Sequence, residues 1–174
     1  MKRFSLALIG SLALLQPALA ADAPLTAKAD FVDQTGKSVG TATLRALPEG
    51  VLIHVDLKGL PPGPHGFHIH EAGKCEPAQK FKSAGGHFNP THKAHGVLSG
   101  EGPHAGDLPN LYVPGDGHLQ ADLIDDAVTL SPGPSSLLKT GGTAFVVHAK
   151  PDDYKSQPAG DAGDRLACGV IVSD

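Results

Sequence analysis

Hydrophobic and polar residues alternate in short stretches along most of the chain. Residues 38–46, 51–57 and 117–123 show this period of two, which is typical of strands that bury one face. Turn-forming residues such as Pro48-Glu49-Gly50 separate the stretches, and helical periodicity is weak throughout. The pattern predicts an all-β domain, folded as a sandwich or a flattened barrel. Further strands are predicted at residues 24–32, 127–130, 143–148 and 166–172.

Two long segments, residues 71–114 and 149–164, lack this alternation. A loop of such length in a compact domain needs a reason, and metal binding or a crosslink would supply one. The first segment holds four of the ten histidines. We therefore predict that both segments are functional loops attached to the β-framework.

The first twenty residues have the order of a secretory signal peptide. Lys2 and Arg3 precede a short apolar run, which is followed by Ala18-Leu19-Ala20 as a small-x-small cleavage site. The apolar run is too short to span a bilayer. We predict cleavage after Ala20, export, a single mature domain at residues 21–174 and no stable membrane association.

Composition excludes several classes of protein and draws attention to histidine. Charged residues make up 18% of the chain and the net charge is −4 without a basic run, so no nucleic-acid partner is expected. The 22 glycines and 15 prolines have no three-residue period, which excludes collagen. Ten histidines in a turn-rich chain make metal binding the first chemistry to consider.

The two cysteines, Cys75 and Cys168, have only one possible pairing with each other. Export would place them in an oxidising compartment, where a disulfide is expected. A bridge across so long a loop would stabilise the fold by roughly 4–5 kcal/mol. Two buried thiols are the alternative.

His68 and His70 lie on either side of Ile69 in a predicted strand. Residues two apart on a strand face the same side, so both imidazoles can reach one ion while Ile69 faces the core. Alone the pair is a weak signal, because two solvent-facing histidines would fit as well. His148 ends another hydrophobic strand and adds a distant imidazole.

The first long segment also contains a set of residues suited to zinc. His87, His95 and His104 are followed by Asp107, and three imidazoles with one carboxylate suffice for a tetrahedral site. Glycine and proline residues around His87 allow the loop to fold around a small ion. His92 lies in the same segment and is the one alternative ligand.

Taken together, these motifs resemble those of copper/zinc superoxide dismutases, in particular the exported bacterial type. The similarity is carried by His95 and by residues 66–71, 85–90, 104–107, 148–153 and 163–171, in that family's order. The resemblance implies a Greek-key barrel of eight strands, with the two cysteines disulfide-bonded. It implies a periplasmic enzyme that converts superoxide to molecular oxygen and hydrogen peroxide, with copper and zinc as cofactors.

The resemblance also implies two metal sites that share one histidine, and its spacing favours His95 over His92. The implied copper ligands are four histidines: His68, His70, His87 and His148. The implied zinc ligands are three histidines and an aspartate: His87, His95, His104 and Asp107. As the shared ligand, His87 would leave reduced copper, take up a proton and pass it to the peroxide product.

Two further residues match functional positions of the family. Arg165 would attract and orient the anionic substrate. Asp152 would accept hydrogen bonds from the outer ring nitrogens of His68 and His95, which fixes the orientation of both rings. The second loop is short and lacks the Glu-Glu-x-x-Lys stretch of the eukaryotic members, so no lysine is assigned to substrate steering.

Other functions must be weighed against this interpretation. A copper-delivery or metal-storage module on the same fold is the main alternative, but it does not require four copper ligands together with Asp152 and Arg165. An adhesion module predicts scattered histidines, and a zinc hydrolase needs a free carboxylate as a general base. The expected partner is the superoxide anion. A homodimer is left open, with residues 111–113 as a candidate contact.

Overall fold

The computed structural model describes residues 25–174, which form eight β-strands and two short 3₁₀ turns. The strands are β1 (Thr26–Asp33), β2 (Ser38–Ala46), β3 (Val51–Lys58), β4 (Gly63–His70), β5 (Asp107–Val113), β6 (His118–Asp125), β7 (Thr143–His148) and β8 (Arg165–Ser173). The 3₁₀ turns, Pro77–Gln79 and Lys82–Ala84, lie between β4 and β5. Within residues 25–174 no helix has the length and apolar character needed to cross a membrane. The predicted leader and its cleavage site lie outside the described residues.

The strands join in one antiparallel sheet in the order β5-β4-β7-β8-β1-β2-β3-β6. β3 pairs with β6 instead of with β4, which is the exchange of neighbours found in a Greek key. The two end strands, β5 and β6, approach each other, so the sheet curls into a nearly closed barrel. The predicted all-β, eight-stranded flattened barrel is confirmed.

The alternating pattern places one face of each strand in a single core. In β3, for example, Ile53 and Val55 are fully buried while the intervening residue is exposed. Phe31, Phe67 and Phe145 pack together at the centre, with ring centroids 5.1–6.4 Å apart. Each such aromatic pair contributes about 0.5–1.5 kcal/mol beyond its buried area, so this cluster holds β1, β4 and β7 firmly together.

β7 is buried along its whole length because it is covered on both faces. Phe145 and Val147 face the barrel core, whereas Ala144 and Val146 belong to a second apolar cluster with Phe81 from the first long loop. A strand covered on both faces is apolar at consecutive positions, which explains its continuous hydrophobic sequence. The second cluster fastens the loop to the outside of the barrel, over the strands that carry histidines.

A disulfide between Cys75 and Cys168 crosslinks this loop to β8, with the two Cα atoms 5.6 Å apart. The predicted pairing is confirmed, and the alternative of two buried thiols is wrong. Cys168 itself belongs to the second apolar cluster, so the crosslink and the packing act at the same place.

Two predicted boundaries are wrong. The segment 71–114 was expected to be a loop, yet it contains β5, which pairs with β4. Pro109 interrupts its strand-like sequence, but a proline is tolerated because β5 is an edge strand. Conversely, residues 127–130 form only one isolated bridge, Thr129 with Ser136. Val128 and Leu130 are apolar there because they pack into the core from an irregular segment.

Asp125 is a carboxylate buried at the end of β6. Its Oδ1 accepts the backbone N–H of Ala127 at 3.0 Å, whereas Oδ2 has no hydrogen-bond partner among the described residues. Burial raises the pKa of Asp125 to about 6; the N–H of Ala127 opposes the rise and the nearby Asp126 adds to it. Ionised Asp125 therefore destabilises the folded protein at neutral pH.

Asp125→Asn should stabilise the protein at neutral pH. Because the folded-state pKa of about 6 lies above the ordinary 3.8, the free energy of unfolding falls as pH rises between these values. At about 1.4 kcal/mol per pH unit, the loss is roughly 3 kcal/mol, and a neutral amide avoids it. Urea unfolding of parent and variant at about pH 4 and about pH 7 measures the difference.

Asp126→Asn is the matched control, since it removes the same charge from an exposed neighbour. In that variant the free energy of unfolding should keep most of its pH dependence. If Asp125→Asn lost stability with rising pH as steeply as the parent, burial of the ionised carboxylate would not be its cause.

Candidate metal centre

The strands β4 and β7 bring three histidines to one side of the barrel. Alternation along β4 directs Phe67 and Ile69 into the core, so His68 and His70 face the opposite side. β7 is the neighbour of β4, and His148 at its end meets them there. The ring centroids of His68 and His148 are 4.8 Å apart, and those of His70 and His148 are 5.6 Å apart.

A fourth ring, His87, is supplied by the first long loop. Its backbone bridges to His70, the last residue of β4, which places the loop against the strand. The ring centroid of His87 is 4.0 Å from that of His68 and 5.0 Å from that of His70. One nitrogen of each of these four histidines lies within 4.8 Å of the others, so the four rings can share one ion.

A second set of donors converges on the other side of His87. Oδ1 of Asp107 lies 2.7 Å from Nδ1 of His87, 3.0 Å from Nδ1 of His95 and 3.1 Å from Nδ1 of His104. Oδ2 of Asp107 accepts the backbone N–H groups of Gly96 and His104, which fixes the carboxylate. Three imidazoles and one carboxylate form a typical zinc ligand set. His92 is exposed and belongs to neither set.

Buried ring nitrogens without partners indicate where ions fit. In the part of the chain that the structure describes, Nδ1 of His68 and Nε2 of His87 are buried without a hydrogen bond, and Nδ1 of His95 is buried with Oδ1 of Asp107 beside it at 3.0 Å. An unsatisfied buried polar atom is costly, whereas a metal ion satisfies it. Each of these atoms faces one of the two donor sets. The residues present therefore fit copper on an all-imidazole set and zinc on the mixed set.

Asp152 accepts a hydrogen bond from one histidine of each donor set, on the side of the rings that faces away from the ion positions. Its Oδ2 accepts a hydrogen bond from Nε2 of His68 at 2.6 Å, and its Oδ1 accepts one from Nε2 of His95 at 3.0 Å. A proton held on each outer nitrogen leaves the lone pair on the inner nitrogen free for a metal. Similarly, Nδ1 of His70 donates to the carbonyl oxygen of Gly85 at 3.0 Å.

The electrostatic environment keeps three of the copper-side rings neutral, those of His70, His87 and His148. Burial lowers the pKa of His148 to about 3 and that of His87 to about 4; neighbouring imidazoles add to both shifts, and the hydrogen bond with Asp107 only partly opposes the shift of His87. Burial likewise holds the pKa of His70 well below its usual range. Neutral imidazoles are the form that binds metal, so these rings do not need to lose a proton first.

The carboxylates have the opposite influence on the zinc side. Burial disfavours a charged His95, but Asp107 and Asp152 outweigh it and raise the pKa of that ring to about 9. Burial opposes ionisation of Asp107 as well, yet hydrogen bonds from His87 and His95 hold its pKa well below the usual range. Asp107 is therefore an anionic donor at any pH near neutral.

Arg165, at the start of β8, lies beside the copper-side histidines. Nη1 donates to the carbonyl oxygen of Phe81 at 2.6 Å and Nη2 donates to that of Gly85 at 2.7 Å. The guanidinium lines a cleft of about 400 Å³ together with His70 and His148. Burial lowers the pKa of Arg165, but an arginine keeps its charge. The cleft thus has a fixed positive charge beside the imidazoles.

Two amide side chains that sequence reasoning missed hold the site in place. Asn110 accepts the backbone N–H of Asp152 at 2.8 Å and donates to its carbonyl oxygen at 2.9 Å. Gln157 makes the same pair of bonds with the backbone of His95, both at 2.9 Å. Asn110 is buried in β5, and an amide within an apolar strand was the only available signal. Nothing in the sequence distinguishes Gln157.

Asp152→Asn should weaken zinc binding while leaving the fold intact. An amide can accept a hydrogen bond from only one of the two ring N–H groups, because its nitrogen is itself a donor. Loss of such an outer contact typically lowers metal affinity about 10–100-fold. Competition with a chromogenic zinc chelator measures the affinity, and circular dichroism checks the fold.

Asp161→Asn provides the control, since Asp161 is exposed in the same loop with a positive φ of 52°, which asparagine tolerates. Its zinc affinity should match that of the parent. An Asp152→Asn protein with parental zinc affinity would show that this carboxylate does not support the zinc ligands.

Comparisons with known proteins agree with this geometry. The family model for copper/zinc superoxide dismutase (SODC) matches residues 38–171. The chain is 50% identical over 173 residues to a copper-zinc superoxide dismutase 2 of Aquifex aeolicus (strain VF5), covering 98% of this chain and 99% of that one. It is 40% identical over 180 residues to a copper-zinc superoxide dismutase of Escherichia coli (strain K12), with the same two coverages.

Solved structures give the same result. The crystal structure of a superoxide dismutase-like protein from Bacillus subtilis has a TM-score of 0.80 and 38% identity, covering 83% of this chain and 97% of that chain. The resemblance predicted from the sequence is therefore confirmed. The chain belongs to the copper/zinc superoxide dismutase family, whose enzymes convert superoxide to molecular oxygen and hydrogen peroxide with copper and zinc as cofactors.

Proposed function

We propose that this chain dismutates superoxide at a copper ion bound by histidines and linked to zinc through His87. The supporting observation is the orientation of that ring. Its Nδ1 lies 2.7 Å from Oδ1 of Asp107, and its Nε2 is buried without a partner on the copper side. The proposed copper ligands are His68, His70, His87 and His148. The proposed zinc ligands are His87, His95, His104 and Asp107.

The reaction converts two superoxide anions and two protons into one molecule of oxygen and one of hydrogen peroxide. Copper supplies the one-electron steps by alternating between Cu(II) and Cu(I), whereas zinc keeps one valence. The chain itself must move a proton. Nε2 of His87 holds a proton during one half of the cycle and passes it to the peroxide formed in the other half. Oδ1 of Asp107 lies 2.7 Å from Nδ1 of His87 and marks the proposed zinc side of the ring, where Nδ1 would be held while Nε2 exchanges its proton.

Arg165 attracts the substrate and orients it in the cleft. Its two carbonyl contacts leave the guanidinium fixed beside His70 and His148, so little reorganisation is needed when an anion enters. The whole chain is acidic, with a formal charge of −4, but the local field in a cleft governs encounter. The exposed carboxylates of Asp161 and Asp164 weaken this field.

Export to the periplasm is part of the proposal, with residues 1–20 removed as a signal peptide. The crosslink between Cys75 and Cys168 supports it, because structural disulfides persist mainly in oxidising compartments. A homodimer stays a hypothesis. Of the candidate contact at residues 111–113, only Tyr112 is exposed, since Leu111 and Val113 face the core.

His148→Ala should abolish dismutation and copper binding while retaining most of the zinc. His148 lies on the copper side only, so the zinc donors stay complete. Metal content by mass spectrometry and superoxide consumption after pulse radiolysis measure both effects. His54→Ala is the control, since His54 is exposed on β3 and pairs with Asp122. Unchanged turnover in His148→Ala would refute the copper assignment.

Arg165→Ala should lower kcat/KM for superoxide about tenfold at low salt and weaken its ionic-strength dependence. The expected cause is loss of the fixed positive charge in the cleft. Arg45→Ala, which removes an exposed arginine from β2, should leave both quantities unchanged. Stopped-flow rates at several salt concentrations distinguish the two variants. A parental rate and salt dependence in Arg165→Ala would exclude a role in substrate attraction.

A further inference from the structure

We propose that Glu71 is a positioning residue, which fixes the Gly85–Gly86 turn and, through it, Arg165 and two of the copper-side histidines. This inference rests on the proposed function, because it concerns the same cleft. Glu71 follows directly after β4 and is exposed, so core packing does not account for its position.

Glu71 and Gly86 are joined by two hydrogen bonds. The backbone N–H of Glu71 donates to the carbonyl oxygen of Gly86 at 2.9 Å. The backbone N–H of Gly86 donates to Oε1 of Glu71 at 3.0 Å. The second bond has an ionised acceptor and is the stronger kind. Together they close a ring that ties the loop to the end of β4.

The Gly85–Gly86 turn has no side chains of its own that could restrain its conformation. Gly85 has a φ of 77°, a left-handed conformation that glycine adopts freely and also leaves freely. A Cβ atom at Gly85 would lie only 2.7 Å from Oε1 of Glu71. The carboxylate therefore packs directly against the glycine backbone, and it supplies the restraint that two consecutive glycines lack.

Three functional groups depend on the position of this turn. The carbonyl oxygen of Gly85 accepts a hydrogen bond from Nη2 of Arg165 at 2.7 Å and another from Nδ1 of His70 at 3.0 Å. Gly86 is followed directly by His87, whose ring faces both donor sets. Movement of the turn would displace the guanidinium and both rings together.

The charge of Glu71 has a separate effect, because Glu71 lines the same cleft as Arg165. A carboxylate there repels an anionic substrate and slows its entry. Its hydrogen bond and its charge thus act on the rate in opposite directions. Substitutions that keep one and remove the other can separate them.

Three variants make this separation. Glu71→Gln keeps an acceptor of the same length and removes the charge, so its kcat/KM at low salt should rise about twofold above the parent. Glu71→Ala removes both, and Glu71→Asp keeps the charge but is too short to reach Gly86. The kcat/KM of both variants should be at least about threefold lower than that of Glu71→Gln, because the turn is released. Glu49→Gln removes a carboxylate that does not line the cleft and should match the parent.

A readout without metal tests the positioning directly. Hydrogen exchange of the Gly86 amide, followed by NMR in the metal-free protein, should be slow in the parent and in Glu71→Gln. It should be at least about tenfold faster in Glu71→Ala and Glu71→Asp. Rescue by glutamine would not be expected if Glu71 acted only through its charge.

The proposal is overturned if Glu71→Ala and Glu71→Asp equal Glu71→Gln in both rate and Gly86 exchange. Failure of the proposed function is a different result. In that case the parent protein itself would neither bind copper nor consume superoxide, while the exchange of Gly86 would still report whether Glu71 holds the turn.

Discussion

The arrangement of this protein depends on which nitrogen of each imidazole is occupied by protein. Asp152 takes the outer nitrogens of His68 and His95, and the carbonyl oxygen of Gly85 takes that of His70. Each ring is then held by the chain at one end and directs its other nitrogen inward. Because the inner nitrogens converge in two groups with His87 between them, two different ions can be bound side by side. The hydrogen bonds to the outer nitrogens thus determine which ring nitrogens are free to bind metal.

The barrel supplies rigidity and the loops supply specificity. β4 and β7 lie between the aromatic core and a second apolar cluster, so the histidines they carry have little freedom to move. The loop that brings His87 is fastened over these strands by Phe81 and by the bond between Cys75 and Cys168. The carbonyl oxygen of Phe81 also holds Arg165, which means that the same packing positions the positive charge beside the histidines. The loop contacts that cover the strands therefore also form the cleft.

Much of this could be predicted from local sequence because it follows from periodicity and donor chemistry. Alternation in β4 separated His68 from Ile69, and the spacing of His87, His95 and His104 predicted a second donor set. The failures have a common cause, since each depends on tertiary context. Pro109 argues against a strand at β5, because a proline is tolerated there only at an edge position, which the sequence does not reveal. Asn110 bonds to the backbone of a residue 42 positions away in sequence, and Gln157 to one 62 positions away. No local sequence pattern can therefore predict these paired hydrogen bonds.

The position of Asp107 links ion binding to the end of the sheet. Asp107 is both a zinc-side donor and the first residue of β5, one of the two strands that end the sheet. An ion that restrains Asp107 also restrains the beginning of that strand. Ion binding at the mixed donor set therefore also stabilises the start of a terminal strand of the barrel.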